Sequence, residues 1–314
     1  MMYMHFRALL LLFYFFSFNI QKSDAQYYFY DDQYYDNPVI IEIGGSIGIM
    51  NCLTDLGGKK GIGKKFIKDL NLINNRLCGS LYASATYHNA IALRLEGTFG
   101  EVSAHDSVLQ PVAASTFGRY DRNLSFRSSI TEIMLVAEIH PLYLFNLYND
   151  IEPPRLSPYF LAGIGYFAFN PQAKLHNNWI NLQPLHLEGQ GFAEYPDRPN
   201  YKLHQVNIPL GSGLKFEFST FINLRAEIVY RILSTDYLDD VSQVDYIDPS
   251  IFSNHLTGVN LANALQLYDR RGELTPNVIG PGSRGNPTHD DSYFSFNLKV
   301  GIILGREKIK RNIK

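Results

Sequence analysis

From Val39 onwards the chain repeats one pattern, with apolar residues at every second position and small, polar or charged residues between them. Successive side chains leave a β-strand on opposite faces, so alternation of this kind marks strands with one apolar face. Over Val39–Leu53, Ile41, Ile43, Ile47 and Ile49 share one face, while Glu42, Gly44, Ser46 and Gly48 share the other. The same reading predicts strands over residues 79–87, 90–102, 124–140, 157–170, 205–219, 222–236 and 291–305. His88-Asn89 forms the turn between the second and third. The fifth segment, SPYFLAGIGYFAFN, is apolar on both faces, and a core strand of a soluble sandwich would look the same.

The connections change the picture from a set of strands to an architecture. Long ones follow the first, third, fifth and seventh strands, over about 54–78, 103–123, 171–204 and 237–290. Shorter links, at 88–89, about 141–156 and 220–221, follow the even-numbered strands. A sandwich has no reason to sort its loops this way, whereas an outer-membrane barrel has short periplasmic turns and long outer loops. The expected fold is therefore all-β, an eight-stranded antiparallel transmembrane β-barrel. The last outer loop holds enough Leu and Ala between Asn254 and Tyr268 for a short helix.

Charge then falls into place. By parity Glu42, Arg94, Glu96, Glu132, Glu138, Lys215, Glu217, Arg225, Glu227, Arg231 and Lys299 all point inward, six acids against five bases. An eight-stranded barrel is just wide enough for side chains to fill, and buried charge is costly unless paired. A balanced set thus predicts an ion-pair network that plugs the lumen. Glu96, Glu217 and Glu227 each follow a base two residues earlier, Arg94, Lys215 and Arg225, and ion pairing accounts for them better than acid–base catalysis. An ion or proton path through these groups is the competing account.

The N-terminus suggests export. Arg7 precedes an apolar run from Ala8 to Phe16 and the small-residue pattern Ser23-Asp24-Ala25, as in a secretory signal peptide. Residues 1–25 are expected to be that signal, 26–37 a flexible Tyr/Asp-rich lead, 38–305 the barrel and 306–314 a basic periplasmic tail. The apolar run is too short to cross a membrane as a helix, which needs about twenty residues. Phe and Tyr at 21 each, Gly at 24 and only 18% charged residues suit a barrel with aromatic girdles. A net charge of −2 gives no support for nucleic-acid binding.

Candidate chemistry is sparse. Cys52 ends the first strand and Cys78 opens the second, both on the inward parity, so a disulfide between them is expected at the mouth of the first outer loop, with two separate thiols as the alternative. Two cysteines make no zinc site unaided, and no metal or cofactor is expected. The basic run GGKKGIGKKFIK lacks the order of a phosphate-binding P-loop and suits contact with anionic headgroups or a partner. His176, His186, His204, His255 and His289 lie in or beside long loops without catalytic spacing to Ser or Asp, and no enzymatic activity is expected. Trp179 and the run LQPLHLEGQGFAEYPDRPNY in the third outer loop suggest a surface for another protein, with ordinary loop variability as the competing account.

Four stretches carry a family resemblance: SPYFLAGIGYFAFNPQAKL, LQPLHLEGQGFAEY, YKLHQVNIPLGSGLKF and RAEIVYRILSTDYLDDVS. They resemble the small outer-membrane barrel family of Bacteroidota that includes PorG of the type IX secretion system. The resemblance spans roughly 41–241 and resumes at the last strand; it does not extend to the lead, the tail or much of 245–286. It implies a barrel in contact with outer-membrane lipid and with the periplasmic ring or lipoprotein subunits of a protein-export machine, with no cofactor and no small-molecule substrate. The alternative is a stand-alone surface barrel whose outer loops bind a ligand, adhesin or lipoprotein.

Overall fold

The computed structural model describes residues 38–58, 71–116, 118–145, 154–274, 283–288 and 290–304. The expected signal, lead and tail, and most of the basic run, lie outside the described residues. Nine strands are described: β1 (Val39–Leu53), β2 (Arg76–Tyr87), β3 (Ile91–His105), β4 (Ser125–Ile139), β5 (Leu156–Leu175), β6 (Asn178–Asn181), β7 (His204–Glu217), β8 (Ile222–Leu233) and β9 (Ser292–Leu304).

Each strand pairs antiparallel with its neighbours in the order β4-β3-β2-β1-β9-β8-β7-β5, and β4 also pairs with β5. That last pairing closes eight strands into a barrel, with β6 as a short hairpin partner of the outer end of β5. Closure leaves no free edge, so the backbone of the wall is paired within the sheet. Positive φ at His88 and Asn89, 45° and 56°, forms the tight turn from β2 to β3.

The outward face is apolar. Ile47 is 76% exposed and Leu81 70% exposed, and Leu93, Ile133, Phe160, Ile208, Ile228 and Leu298 join them around the barrel. A continuous exposed apolar belt of this kind suits only a bilayer. No helix among the described residues is long and apolar enough to cross a membrane. The chain is an outer-membrane barrel that crosses with its strands.

The strands depart from the sequence reading mainly at the long-loop end. β2 begins three residues early, at Arg76, and β3 runs on to His105. β5 reaches Leu175 and turns back through His176, at φ 54°, into β6. There Arg127 lies 3.8 Å over the Trp179 ring, a cation–π contact that holds the hairpin against β4. β8 stops at Leu233 rather than Asp236, because the chain beyond it turns into the barrel mouth, where Asp236, Leu238 and Asp239 are buried.

The expected disulfide is corrected: Cys52 and Cys78 are both free thiols. The register pairs Cys78 with Gly48 and Cys52 with Tyr293. The two cysteines are thus four residues apart along the wall, about 13 Å at the strand rise of about 3.3 Å per residue. A disulfide tolerates no more than about 7 Å between Cα atoms. Both thiols are buried, but which residues oppose one another depends on register.

Candidate functional site

Three layers fill the molecule from the short-turn end to the long-loop end. In the lowest layer, ions inside the barrel come together across strands. Arg94 lies 2.7 Å from Glu138, 2.8 Å from Glu227 and 3.1 Å from Glu96. Lys299 reaches Glu96 at 2.6 Å and Glu227 at 2.9 Å. Arg225 pairs with Glu42 at 3.0 Å and Glu138 at 2.9 Å. Farther toward the outer end, Arg231 pairs with Glu132 at 3.0 Å.

Neutral donors complete these carboxylates. The Tyr82 hydroxyl donates to Glu42 at 2.6 Å, Tyr159 to Glu227 at 2.8 Å and Tyr293 to Glu132 at 3.0 Å. Asn223 donates to Glu42 and Asn207 to Glu132. Tyr82 fits because the wall beside it is glycine: a Cβ at Gly44 would stand 2.7 Å from its ring, and one at Gly301 would stand 2.2 Å from Glu42 Oε1.

The pairing pattern differs from the neighbour pairs expected along each strand. Arg94 and Glu96 do pair, but Arg225 turns to Glu42 and Glu138, and Glu227 is taken by Arg94 and Lys299. Inside a narrow tube, a side chain reaches across the lumen as easily as along its own strand. Lys215 and Glu217, near the end of β7, are buried as well, and Lys215 acts electrostatically on Glu42, Glu217 and Glu138.

The second layer is apolar and closes the outer mouth. Met50, Cys52, Leu56, Val102, Phe126, Ile130, Phe167, Leu238 and Tyr293 belong to one buried cluster there. The thiols sit in it as small hydrophobes: Cys52 Sγ approaches the Ser103 carbonyl at 3.8 Å, and Cys78 Sγ approaches Asn297 Oδ1 at 3.4 Å.

The third layer is a cap in which all four outer loops are stitched together. Asp106 accepts from Arg122 Nε at 2.8 Å and Nη2 at 3.0 Å, and from the backbone N–H groups of Gly57 and Leu124. Arg122 in turn donates to the carbonyls of Asp55 and Arg284. Glu188, in the third loop, accepts from Arg284 Nε at 2.9 Å and from the backbone of Ser242 and Gln243 in the fourth. Apolar packing of Leu185, Leu187 and Phe192 against Phe252, Ala264 and Leu267 joins these last two loops. The helix at Gly258–Leu267 lies within the segment the sequence marked for one.

The cap also buries acids that face one another. Burial, then Asp55 and Asp239, pushes the Asp236 carboxyl up to about 9. Burial holds Asp240 up to about 7, although it accepts from the Tyr201 hydroxyl at 2.6 Å. Burial and then Asp55 raise Asp239 well above the usual range, and burial followed by Asp239, Asp236 and Asp55 does the same to Asp291. Both carboxylate oxygens of Asp236 and Oδ2 of Asp239 are buried without a hydrogen-bond partner. Among the described residues no trio of His, Cys, Asp or Glu is arranged to hold a metal ion.

The sequence reading missed Asp106, Arg122, Glu188, Arg284 and the buried aspartates. The only signal was the acidic pair Asp239-Asp240 set between Leu238 and Val241, within a stretch that had drawn notice for its family resemblance. Of the loop histidines, His255 lies 2.7 Å from Glu194 and stacks on Phe192, and His204 stacks on Tyr166. His289 lies outside the described residues.

No known protein-family pattern and no curated protein matches the chain. Solved structures with a similar course are outer-membrane barrels. They include the Neisserial surface protein A (6% identity, 84% of this chain and 95% of that one, TM-score 0.35). OprG of Pseudomonas aeruginosa is another (8%, 84% and 95%, 0.37). A third is Ail of Yersinia pestis, in complex with the heparin analogue sucrose octasulfate (10%, 85% and 97%, 0.34). At these values the likenesses carry no argument, and the fold rests on the chain's own closed register.

Proposed function

We propose that the chain is a non-catalytic outer-membrane component of a protein-export assembly of the type IX secretion kind, a plugged barrel that ties a periplasmic ring to the membrane. The observation that carries the plugged part is the filled lumen, with ion pairs below and an apolar cluster across the mouth. A tube so filled offers a solute no path, which leaves the two rims for partners. Support for the export machine comes from the resemblance of the four sequence stretches to the PorG-containing family. In this reading the short links and both termini face the periplasm and the ring or lipoprotein subunits, and the signal peptide of residues 1–25 directs the chain there.

Affinity purification from native outer membranes in mild detergent tests it. Recovery of secretion-ring subunits is the expected result, and their absence sinks the export role. Planar-bilayer recordings test the plug, with no stable conductance expected. The ordered cap favours a second reading, a stand-alone barrel whose outer loops bind a ligand, adhesin or lipoprotein. Loss of binding to such a partner on disrupting Glu188–Arg284, with ring association unchanged, would mark that role.

A further inference from the structure

The outward wall turns basic above the apolar belt, and it does so on one side of the barrel. A belt about 25 Å tall covers about ten residues of a strand tilted by roughly 40°. Counted from the short-turn ends Tyr87, Ile91 and Ile139, it reaches Leu77 on β2, Glu101 on β3 and Ser129 on β4. Arg76 and Arg127 therefore stand just above it, level with the headgroups. The same count on β1, β8 and β9 ends at Ile49, Ile232 and Phe294, and the next outward residues there are the uncharged Asn51, Ser234 and Ser292.

Both arginines are anchored by the wall. Arg76 Nε donates to Ser103 Oγ at 2.7 Å and Arg127 Nε to Gln172 Oε1 at 3.1 Å. The Arg127 guanidinium also lies over the Trp179 ring at 3.8 Å, and Trp179 pairs across the β5–β6 hairpin with the exposed Lys174. Glu101 stands between the arginines, 3.6 Å from Arg76 and 3.8 Å from Arg127, longer than a hydrogen bond to either. Arg270, which donates to the Lys174 carbonyl, is paired with Glu273 at 2.8 Å. Three cations thus share one carboxylate, and the Arg76 and Arg127 side chains remain 47% and 32% exposed.

We propose that this face seats the phosphate of an anionic outer-leaflet lipid between the Nη groups of Arg76 and Arg127, with Lys174 adding charge beside them. Anchoring through Nε leaves the Nη edge of each guanidinium for a partner, and that edge matches phosphate oxygens as a fork. Continuity with the belt selects a lipid as the occupant, because the bilayer itself brings a headgroup to this depth. The inference stands apart from the export reading and needs only the membrane-spanning wall.

The full chain refolded into phosphatidylcholine vesicles carries its own reporter, since Trp179 is the one tryptophan in the sequence. Energy transfer from Trp179 is read against the mole fraction of trace acyl-labelled dansyl phosphatidic acid or dansyl phosphatidylcholine. Phosphatidic acid is expected to reach half-effect at an about tenfold lower mole fraction, and Arg76→Gln with Lys174→Gln should remove most of that preference. Equal transfer to both lipids, or a preference that survives the double substitution, overturns the site. A preference abolished by inorganic phosphate at constant ionic strength makes the occupant a free anion and overturns the lipid assignment. Glu101→Gln gives an independent reading should the double variant fail to fold. Without the competing carboxylate, phosphatidic acid is expected to bind about threefold more tightly, and unchanged or weaker binding overturns the proposal.

Discussion

In the lower lumen Glu42, Glu96, Glu132, Glu138 and Glu227 each face an arginine or lysine, whereas in the outer cap the Asp236, Asp239 and Asp291 carboxyls are raised by burial and then by neighbouring aspartates, Asp55 among them. Both regions are buried, so desolvation is comparable in kind. The difference is compensation. Inside the barrel the wall places opposite charges at short range in a fixed frame, and removing one partner strands the others. Around Asp236, Asp239 and Asp291 the loops bring like charges together, and protons rather than cations relieve most of the repulsion, although Arg122 also acts on Asp239. The lumen is therefore built to hold one state, while the cap's stability is tied to pH.

The largest effect is expected from breaking the lumen. Arg94→Leu takes one cation from Glu96, Glu138 and Glu227 and leaves Lys299 and Arg225 to serve all three, and should cost about 3–5 kcal/mol, as breaking buried ion pairs generally does. Urea unfolding in vesicles measures it, and a loss below 1 kcal/mol, roughly the worth of an exposed pair, would show that water compensates the stranded acids. Gly301→Ala forces a methyl against Glu42 and the Tyr82 hydroxyl. Overpacking of this kind costs about 1–3 kcal/mol, and the same unfolding assay reads it.

In the cap the sign runs the other way with pH. An unperturbed aspartate loses its proton near 4, but Asp240 keeps its proton to about 7 and Asp236 to about 9. Folded-state pKa values raised in this way favour the cap fully below about 4, and that contribution is lost as pH climbs through the raised values. Corrected for the intrinsic base-catalysed rise in exchange rate, the protection of amides 236–242 should fall from about pH 5 to about pH 9, and Asp236→Asn should flatten the change. A flat profile in the unmodified chain would mean the acids are neutralised by something other than protons. The smallest effect is expected at the cysteines. Alkylation of the denatured chain without reductant should label both thiols, and replacing both by Ala should cost less than the roughly 2–5 kcal/mol of a lost disulfide.

Much of the wall was legible because a strand's periodicity is local. Ile41 to Ile49 announce one face, and eight such segments with sorted loops leave few ways to close. The inward set of ions followed from the same parity. What parity could not supply was the partner of each ion, since Arg225 reaches Glu138 across the lumen from β8 to β4 rather than along its strand to Glu227. The cap was almost illegible, because Glu188 and Arg284, 96 residues apart, meet only through loops with no period to read.

By itself the sequence determined which face of each strand is apolar, that the chain crosses a membrane by strands, and which charges must live inside. Only the tertiary structure decided the register, and with it that Cys52 lies opposite Tyr293 while Cys78 lies opposite Gly48. Facing is a property of one strand and is written in its alternation. Register and loop packing are properties of pairs of distant segments, chosen by side chains that fit across a closed tube.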